Sequence, residues 1–319
     1  MTVPVSDRER STTVHVIVTC TNRKTAAVPS EFRLGNLTDL AATSESVLEW
    51  TTRLSGSGGA AHLAAEDLYA GEHWAIARHL HESAGPRDTR LWVCSAGYGL
   101  IRARARIRPY AASFSGYEDR VPGGAFGARW WWQALARWEG PEPGQPRSIR
   151  ELAAANPTAS FMLALSAAYL DACRDDINAA TTELHDPDRL LVISAGTRGP
   201  CGELARLIVP ADARLQAVLG GTRQALNARI TDRLLSTGLT SRAEASRYMA
   251  ELLADQPPVT RYERKKLSDE EVIAMIKSRL ARESGMPASR MLREFRDIGY
   301  ACEQQRFADL YRRIAGGGQ

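Results

Sequence analysis

The chain has 319 residues, 44% of them apolar and 24% charged, with a net charge of +4. That length and balance suit one large or two ordinary globular domains with a real core. No apolar run approaches the roughly 18–20 residues of a membrane span, and the polar start MTVPVSDRERSTT has no apolar signal core, so a cytoplasmic protein without membrane contact is expected.

The first apolar run, VHVIV from Val14 to Val18, is β-branched and reads as a buried strand that enters TCTNRKT. A helix follows near Ser44 to Leu54, then a flexible SGSGGAA loop. AAEDLYAGEHWAIARHLHESAG begins polar and turns helical, with Trp74, Ile76, Ala77 and Leu80 on one face. LWVCSA and LLVISA read as second and third buried strands. Between them lie the Trp-rich segment ARWWWQALARWEG, expected in a core or interface, and a long helix from about Thr158 to Leu184. Buried strands alternating with helices predict an α/β domain whose mostly parallel sheet is flanked by helices.

Past Ala211 the pattern is helical throughout. Ser241 and Glu244 form a capping-box signature, and that helix stops at Pro257-Pro258. Three more helices follow, the first capped by Ser268 and acidic in its first turn, the second ending at Gly299. Two short helices around a Gly-containing turn fit a helix-turn-helix module. The expected division is an α/β catalytic domain over 1–220, a helical extension over 221–258 and a nucleic-acid-binding module over 259–319. Residues 261–319 carry 13 Lys/Arg against 9 Asp/Glu, so the whole net charge resides there. Arg290, Arg293, Arg306 and Arg312, with Arg296 and Arg313, are the candidate phosphate contacts. A helical bundle that only packs on the main domain is the plainer alternative.

Five cysteines at wide spacings, with no C-x-x-C, argue against a disulfide framework or structural zinc and for reduced thiols. Neither a Walker loop, nor GxGxxG, nor H-E-x-x-H occurs, and no metal or cofactor is expected. Ligands of parallel sheets bind beyond the carboxyl ends of the strands. Three predicted strands end in small or polar residues: Thr19-Cys20-Thr21-Asn22, Cys94-Ser95-Ala96-Gly97 and Ser194-Ala195-Gly196. They are candidate walls of one pocket for a flat ligand, with Tyr98 beside the second. Such loops also use Ser and Gly simply to turn.

Cys20 and Lys24 stand four residues apart just past a strand. A thiolate is a strong nucleophile that Arg23 or Lys24 would favour, and a desolvated Lys24 is itself a candidate nucleophile. The plainer reading is a buried thiol beside two surface cations. Asp67 and Glu72 are candidate general acids or bases where a loop becomes a helix. His73, in the same span, reads as a half-exposed helix residue. Arg108, Tyr110, Ser113 and Tyr117 suit stacking on a base.

The order CTNRKT, DLYAGEHWAIARHL, LWVCSAGYGLI and IRPYAASF resembles a DpdC-like, archaeosine-synthase-core-like and YaaA-like domain family over roughly residues 14–115. Members read C-S-x-x-K after the first strand, then L-Y-x-[SG]-x-x-[FW], a strand ending S-A-x-Y-G-L, and a P-Y. Cys20 and Lys24 match the first motif. Against the archaeosine-synthase signature, in which a Tyr is later followed by Ser and His, Tyr69 matches, while Gly71 stands where Ser is usual and Trp74 where His or Phe would stand. The resemblance implies 7-deazaguanine bases in nucleic acid as substrate. It further implies conversion of 7-cyano-7-deazaguanine in DNA to the 7-amido base, alongside other enzymes of a 7-deazaguanine DNA-modification pathway.

On that expectation Cys20 or Lys24 attacks the nitrile while Asp67 or Glu72 activates water or protonates nitrogen. Thr21, Asn22, Arg23, Tyr69, Gly71, Ser95, Ala96, Gly97, Tyr98, Tyr110, Ser194 and Gly196 would surround a base flipped out of duplex DNA. Two alternatives belong to other classes. One is a non-catalytic YaaA-like DNA-binding protein. The other is a glycosylase- or nuclease-like defence enzyme, for which Asp67, Glu72 and Asp119 are the available carboxylates.

Overall fold

The computed structural model describes residues 13–56, 61–116, 118–195, 202–258 and 265–315. They form two compact units that meet in the chain between Pro257 and Pro258.

The first unit is built on a five-stranded sheet. Its strands are β1 (Val14–Thr19), β2 (Thr89–Ser95), β3 (Gly99–Arg102), β4 (Ser160–Ala164) and β5 (Leu190–Ile193). Their spatial order is β3-β2-β1-β4-β5. β1 pairs in parallel with β2 and β4, and β4 with β5, while β3 returns antiparallel from β2. Every residue of β1, β4 and β5 is buried. Continuous apolar runs are what a sheet covered on both faces demands.

β4 corrects the long helix expected from Thr158. SFMLA is too uniformly apolar to show a period, so a buried strand and a buried helix look alike in sequence. The pairing of Val18 with Ala164 on one side and of Ala164 with Ile193 on the other decides for strand. Helix begins only afterwards, at α4 (Ala167–Ala172) and α5 (Arg174–Glu183). Earlier in the chain lie α1 (Ser44–Ser55), α2 (Glu72–Ala77) and α3 (Gly124–Ala136). After the sheet come α6 (Leu226–Ser236) and α7 (Arg242–Ala254). Ser241 caps α7 by accepting from the Glu244 amide.

The Trp-rich segment is core. Trp131 and Trp132 of α3 are fully buried. Trp131 donates its indole N–H to the Ala96 carbonyl at 2.9 Å, and Trp50 of α1 donates to the Gly97 carbonyl at 2.8 Å. Two tryptophans therefore hold the β2–β3 hairpin at one end of the sheet.

The second unit has its own core of Val272, Ile276, Met291, Phe295, Phe307 and Leu310. It contains α8 (Asp269–Arg282), α9 (Ala288–Asp297) and α10 (Gln304–Ala315). A two-residue parallel ladder, Lys265–Lys266 with Tyr300–Ala301, lies beside them. Ser268 and Glu271 make a complete capping box at the start of α8. Among the described residues, no helix is long and apolar enough to cross a membrane.

Candidate functional site

Strand order reverses between β1 and β4. The chain leaves β1 toward β2 on one side and leaves β4 toward β5 on the other. A crevice opens at such a point beyond the carboxyl ends of the two strands. Cys20 follows β1, and Tyr169 sits in α4 just after β4. Their side chains meet there, Cys20 Sγ to Tyr169 Oη at 3.0 Å. Cys20 is buried, and its amide donates to the Cys94 carbonyl at 3.0 Å, which fixes it at the sheet edge. Burial, then the charge on Cys20, pushes the Tyr169 phenol well above its usual range. Tyr169 thus stays protonated, and its hydroxyl is able to donate to Cys20 Sγ.

The loop after β1 is sewn to the segment before α2. Lys24 and Tyr69 form an antiparallel bridge, the Ala70 amide donates to the Arg23 carbonyl, and the Thr25 amide donates to the Leu68 carbonyl. Thr21 Oγ1 lies 3.1 Å from the Ala70 carbonyl and 2.9 Å from that of Arg23. This stitching turns Lys24 inward. Its Nζ donates to the Thr21 carbonyl and sits 4.9 and 4.8 Å from the ring centres of Tyr69 and Tyr110. Burial lowers the Lys24 pKa, and negative charge on Cys20 opposes that shift. Cation and thiol are therefore electrostatic neighbours.

Behind them runs a buried hydroxyl chain. Tyr69 Oη and Tyr110 Oη are 2.8 Å apart, and Tyr110 Oη is 2.6 Å from Ser95 Oγ. Both phenols are pushed well above their usual range by burial first and by the charge on Cys20 second. Tyr69 stacks on Trp74 with ring centres 4.9 Å apart.

The structure gives several of the expected site residues different work. A Cβ on Gly97 would stand 2.4 Å from the Tyr110 ring, so the missing side chain admits that tyrosine rather than a flat ligand. The backbone of Ser95-Ala96-Gly97 is spent within the protein: Ser95 Oγ accepts from the Gly97 and Tyr98 amides, and the Ala96 and Gly97 carbonyls accept from Trp131 and Trp50. The Tyr98 hydroxyl accepts from the Arg108 amide at 3.0 Å. Arg108 is itself buried, and its Nε donates to the Leu54 carbonyl. Gly71 has φ of 104° and opens α2, a conformation that favours glycine.

Glu72 pairs with Arg229 of α6 at 2.8 Å and accepts from the Thr222 amide, so its carboxyl is held below the usual range. A carboxylate so engaged is a poor proton donor. Asp67 is exposed, as are Asn22 and Arg23. Asp119 pairs with Arg33 at 3.0 Å. His73 is buried rather than half-exposed, bonded to the Thr19 backbone, and lowered by burial to about 4.

Ser194, at the end of β5, is separated from β1 by β4. Asn227 of α6 bridges that end of the sheet, accepting from the Ala195 amide and donating to the Leu165 carbonyl, each at 2.9 Å. Gly196, Tyr117 and Cys201 lie outside the described residues. Cys20, Cys94, Cys173 and Cys302 are free thiols. Among the described residues, no group of three or more His, Cys, Asp or Glu side chains could hold a metal ion.

Tyr169 was absent from the sequence-derived site. Its signal is the Ala164-Leu165-Ser166 ending of β4, a fourth apolar run closing in small residues, within the stretch expected as a long helix.

In the second unit, Arg290 pairs with Glu283 and Glu294, Arg306 with Asp269 and Arg312 with Asp309. Arg296 donates to the Cys302 carbonyl at 3.0 Å. Arg293 and Arg313 are exposed.

No family model, curated protein or solved structure matches the chain.

Proposed function

We propose that this protein modifies a nucleobase by nucleophilic catalysis, hydrating the nitrile of 7-cyano-7-deazaguanine in DNA to the amide. The observation that carries the reading is the Cys20–Tyr169 contact of 3.0 Å at the strand-order reversal, with Lys24 alongside. A nitrile carbon is a weak electrophile, so it calls for a strong nucleophile and a proton source for its nitrogen. In this reading the Cys20 thiolate adds to the nitrile carbon, and one C–N π bond becomes the nitrogen–hydrogen bond of a thioimidate. The proton comes from the Lys24 ammonium or the Tyr169 phenol. Water then adds to the thioimidate carbon, the C–S bond of the resulting adduct breaks, its hydroxyl proton returns to the Lys24 amine or the Tyr169 phenolate, and the amide leaves with the thiolate restored. The sum is nitrile plus water to amide.

A base within a duplex has to leave the stack to reach such a crevice. Arg293 and Arg313, both exposed in the second unit, are candidate phosphate contacts.

The test is purified protein with an oligonucleotide carrying the 7-cyano base, followed by digestion and mass spectrometry. Amide formation in the wild type and its loss in both Cys20→Ala and Cys20→Ser is expected. Binding to ordinary DNA without any modified product, unchanged by Cys20→Ala, would support the non-catalytic alternative and overturn the proposal.

A further inference from the structure

A groove opens in the first unit beside the start of β2. β3 pairs with β2 only from Trp92 to Ser95. The Ala103 amide still reaches the Leu91 carbonyl, but the chain then turns away toward residues 63–66, where the Glu66 and Ala65 amides donate to the Ala103 and Ala105 carbonyls. Among the described residues, Thr89 and Arg90 are left without a strand neighbour on that side. The diverging segments flank a groove of about 430 Å³, and Arg78, just after α2, lines it too.

The segment IRARARI supplies much of its charge. Ile101, Ala103, Ala105 and Ile107 are buried, while Arg102, Arg104 and Arg106 between them are exposed. Arg106 is spent on the His62 carbonyl at 2.6 Å. Residues 1–260 are neutral overall, so any excess here is local. The three carboxylates that line the groove each already have a cation. Asp88 pairs with Arg90 at 2.8 Å, Glu66 lies 3.9 Å from Arg104, and the charge of Glu142 acts on the buried Arg147. The Arg104 pair is loose, since that side chain is 89% exposed. Arg78 and Arg102 are exposed, and no ion pair among the described residues holds either.

We infer that this groove holds the phosphate backbone of duplex DNA, with Arg78, Arg102 and Arg104 as the contacts. Charge complementarity selects the occupant. A guanidinium presents paired donors that match phosphate oxygens, and it is weakly hydrated, so it gives up water readily. The Arg102 guanidinium lies 5.8 Å from the centre of the Trp92 ring, whose attraction for a cation limits the freedom lost on binding. One strand joins the groove to the thiol. β2 runs from Thr89 to Cys94, whose carbonyl accepts the Cys20 amide. Five residues of strand span about 17 Å, roughly five base-pair steps of a duplex. The groove therefore grips the duplex a few base pairs from a base turned toward Cys20.

The inference rests on DNA as the partner in the proposed function, but its test needs no modified base. Fluorescence anisotropy of the full chain with an ordinary labelled duplex gives log affinity against log salt. Arg78→Gln and Arg102→Gln are each expected to reduce the slope by about one, and the double variant by about two. Arg102→Lys keeps the charge and is expected to keep the slope. Glu66→Gln releases Arg104, so it is expected to tighten binding at low salt and steepen the slope, a gain that no unfolded variant can imitate. Arg150, paired with Glu183 outside the groove, supplies the control for net charge. Arg150→Gln is expected to leave the slope unchanged.

Equal losses in Arg150→Gln and the groove variants would reduce the effect to long-range charge and overturn the inference. A wild-type slope that the groove variants do not move would overturn it while leaving DNA as the partner. No salt-dependent binding by the wild type would overturn both. Loss of a glutamate-rich peptide by the same variants, with duplex binding unmoved, would assign the groove to an acidic protein segment instead. Amide formation is assayed separately, so failure of the nitrile chemistry leaves every slope readable.

Discussion

Cys20 Sγ and Tyr169 Oη lie 3.0 Å apart although 149 residues separate them in the chain. The contact joins the residue after β1 to the helix after β4, the two neighbours whose connections leave in opposite directions. A phenol held protonated by burial is here the immediate partner of a thiol. Tyr169→Phe keeps the ring against Phe114, whose centre is 5.0 Å away. On the proposed chemistry it lowers kcat by about 10²-fold and leaves substrate affinity unchanged, as for a group that acts on transition-state charge. Single-turnover and binding measurements on the same variant separate the two.

Two buried histidines make stability depend on pH. His15 and His73 are each pushed from 6.5 to about 4, chiefly by burial, with Arg90 adding to the shift at His15. Above 6.5 both are neutral, folded or unfolded, and the fold carries no penalty. As pH falls from 6.5 toward 4 the unfolded chain takes up protons that the folded chain refuses, so stability falls across that window. The loss is on the order of 3 kcal/mol for each histidine. Denaturant unfolding at a series of pH values is expected to show this decline, with a shallower slope for His73→Leu than for the wild type.

Gly97→Ala places a Cβ 2.4 Å from the Tyr110 ring. The ring must move, because tryptophan bonds hold the hairpin backbone. A cost of about 1–3 kcal/mol is expected, the scale of overpacking a filled core. Tyr110→Leu in the same chain removes the obstructing ring, so the double variant is expected to lose less than the sum of the single losses. Thermal denaturation of the four proteins checks it.

In the second unit the arginines differ in what already holds them. Both are exposed, but Arg290 is engaged by Glu283 and Glu294, whereas no ion pair among the described residues holds Arg293. On the DNA-binding proposal, Arg293→Ala reduces the slope of log affinity against log salt by about one. Arg290→Ala reduces it less. Fluorescence anisotropy with a labelled duplex between roughly 50 and 200 mM salt measures both slopes.

The caps at Ser241 and Ser268 were legible because a cap is a local event, one side chain bonding a backbone amide three residues on. The strands at VHVIV, LWVCS and LLVI were legible for a related reason: short apolar runs containing β-branched or aromatic residues favour extended backbone. The α/β class followed from their alternation with helices. SFMLA was different. Its five buried residues have no period, and only pairing with β1 and β5 selects the strand.

Within the site, sequence alone brought out Cys20, Lys24, Tyr69, Ser95 and Tyr110 as polar residues near strand ends or along one motif. Their partners were not visible. Glu72 looked like a free carboxylate until α6 supplied Arg229, and Gly97 looked like a ligand contact until Tyr110 filled its place. Local backbone preference and apolar patterning act over a few residues, so the sequence by itself determined elements and candidate chemistry. Which hydroxyl meets the thiol depends on strand order and helix packing, which act across the whole chain, and only the tertiary structure decided that.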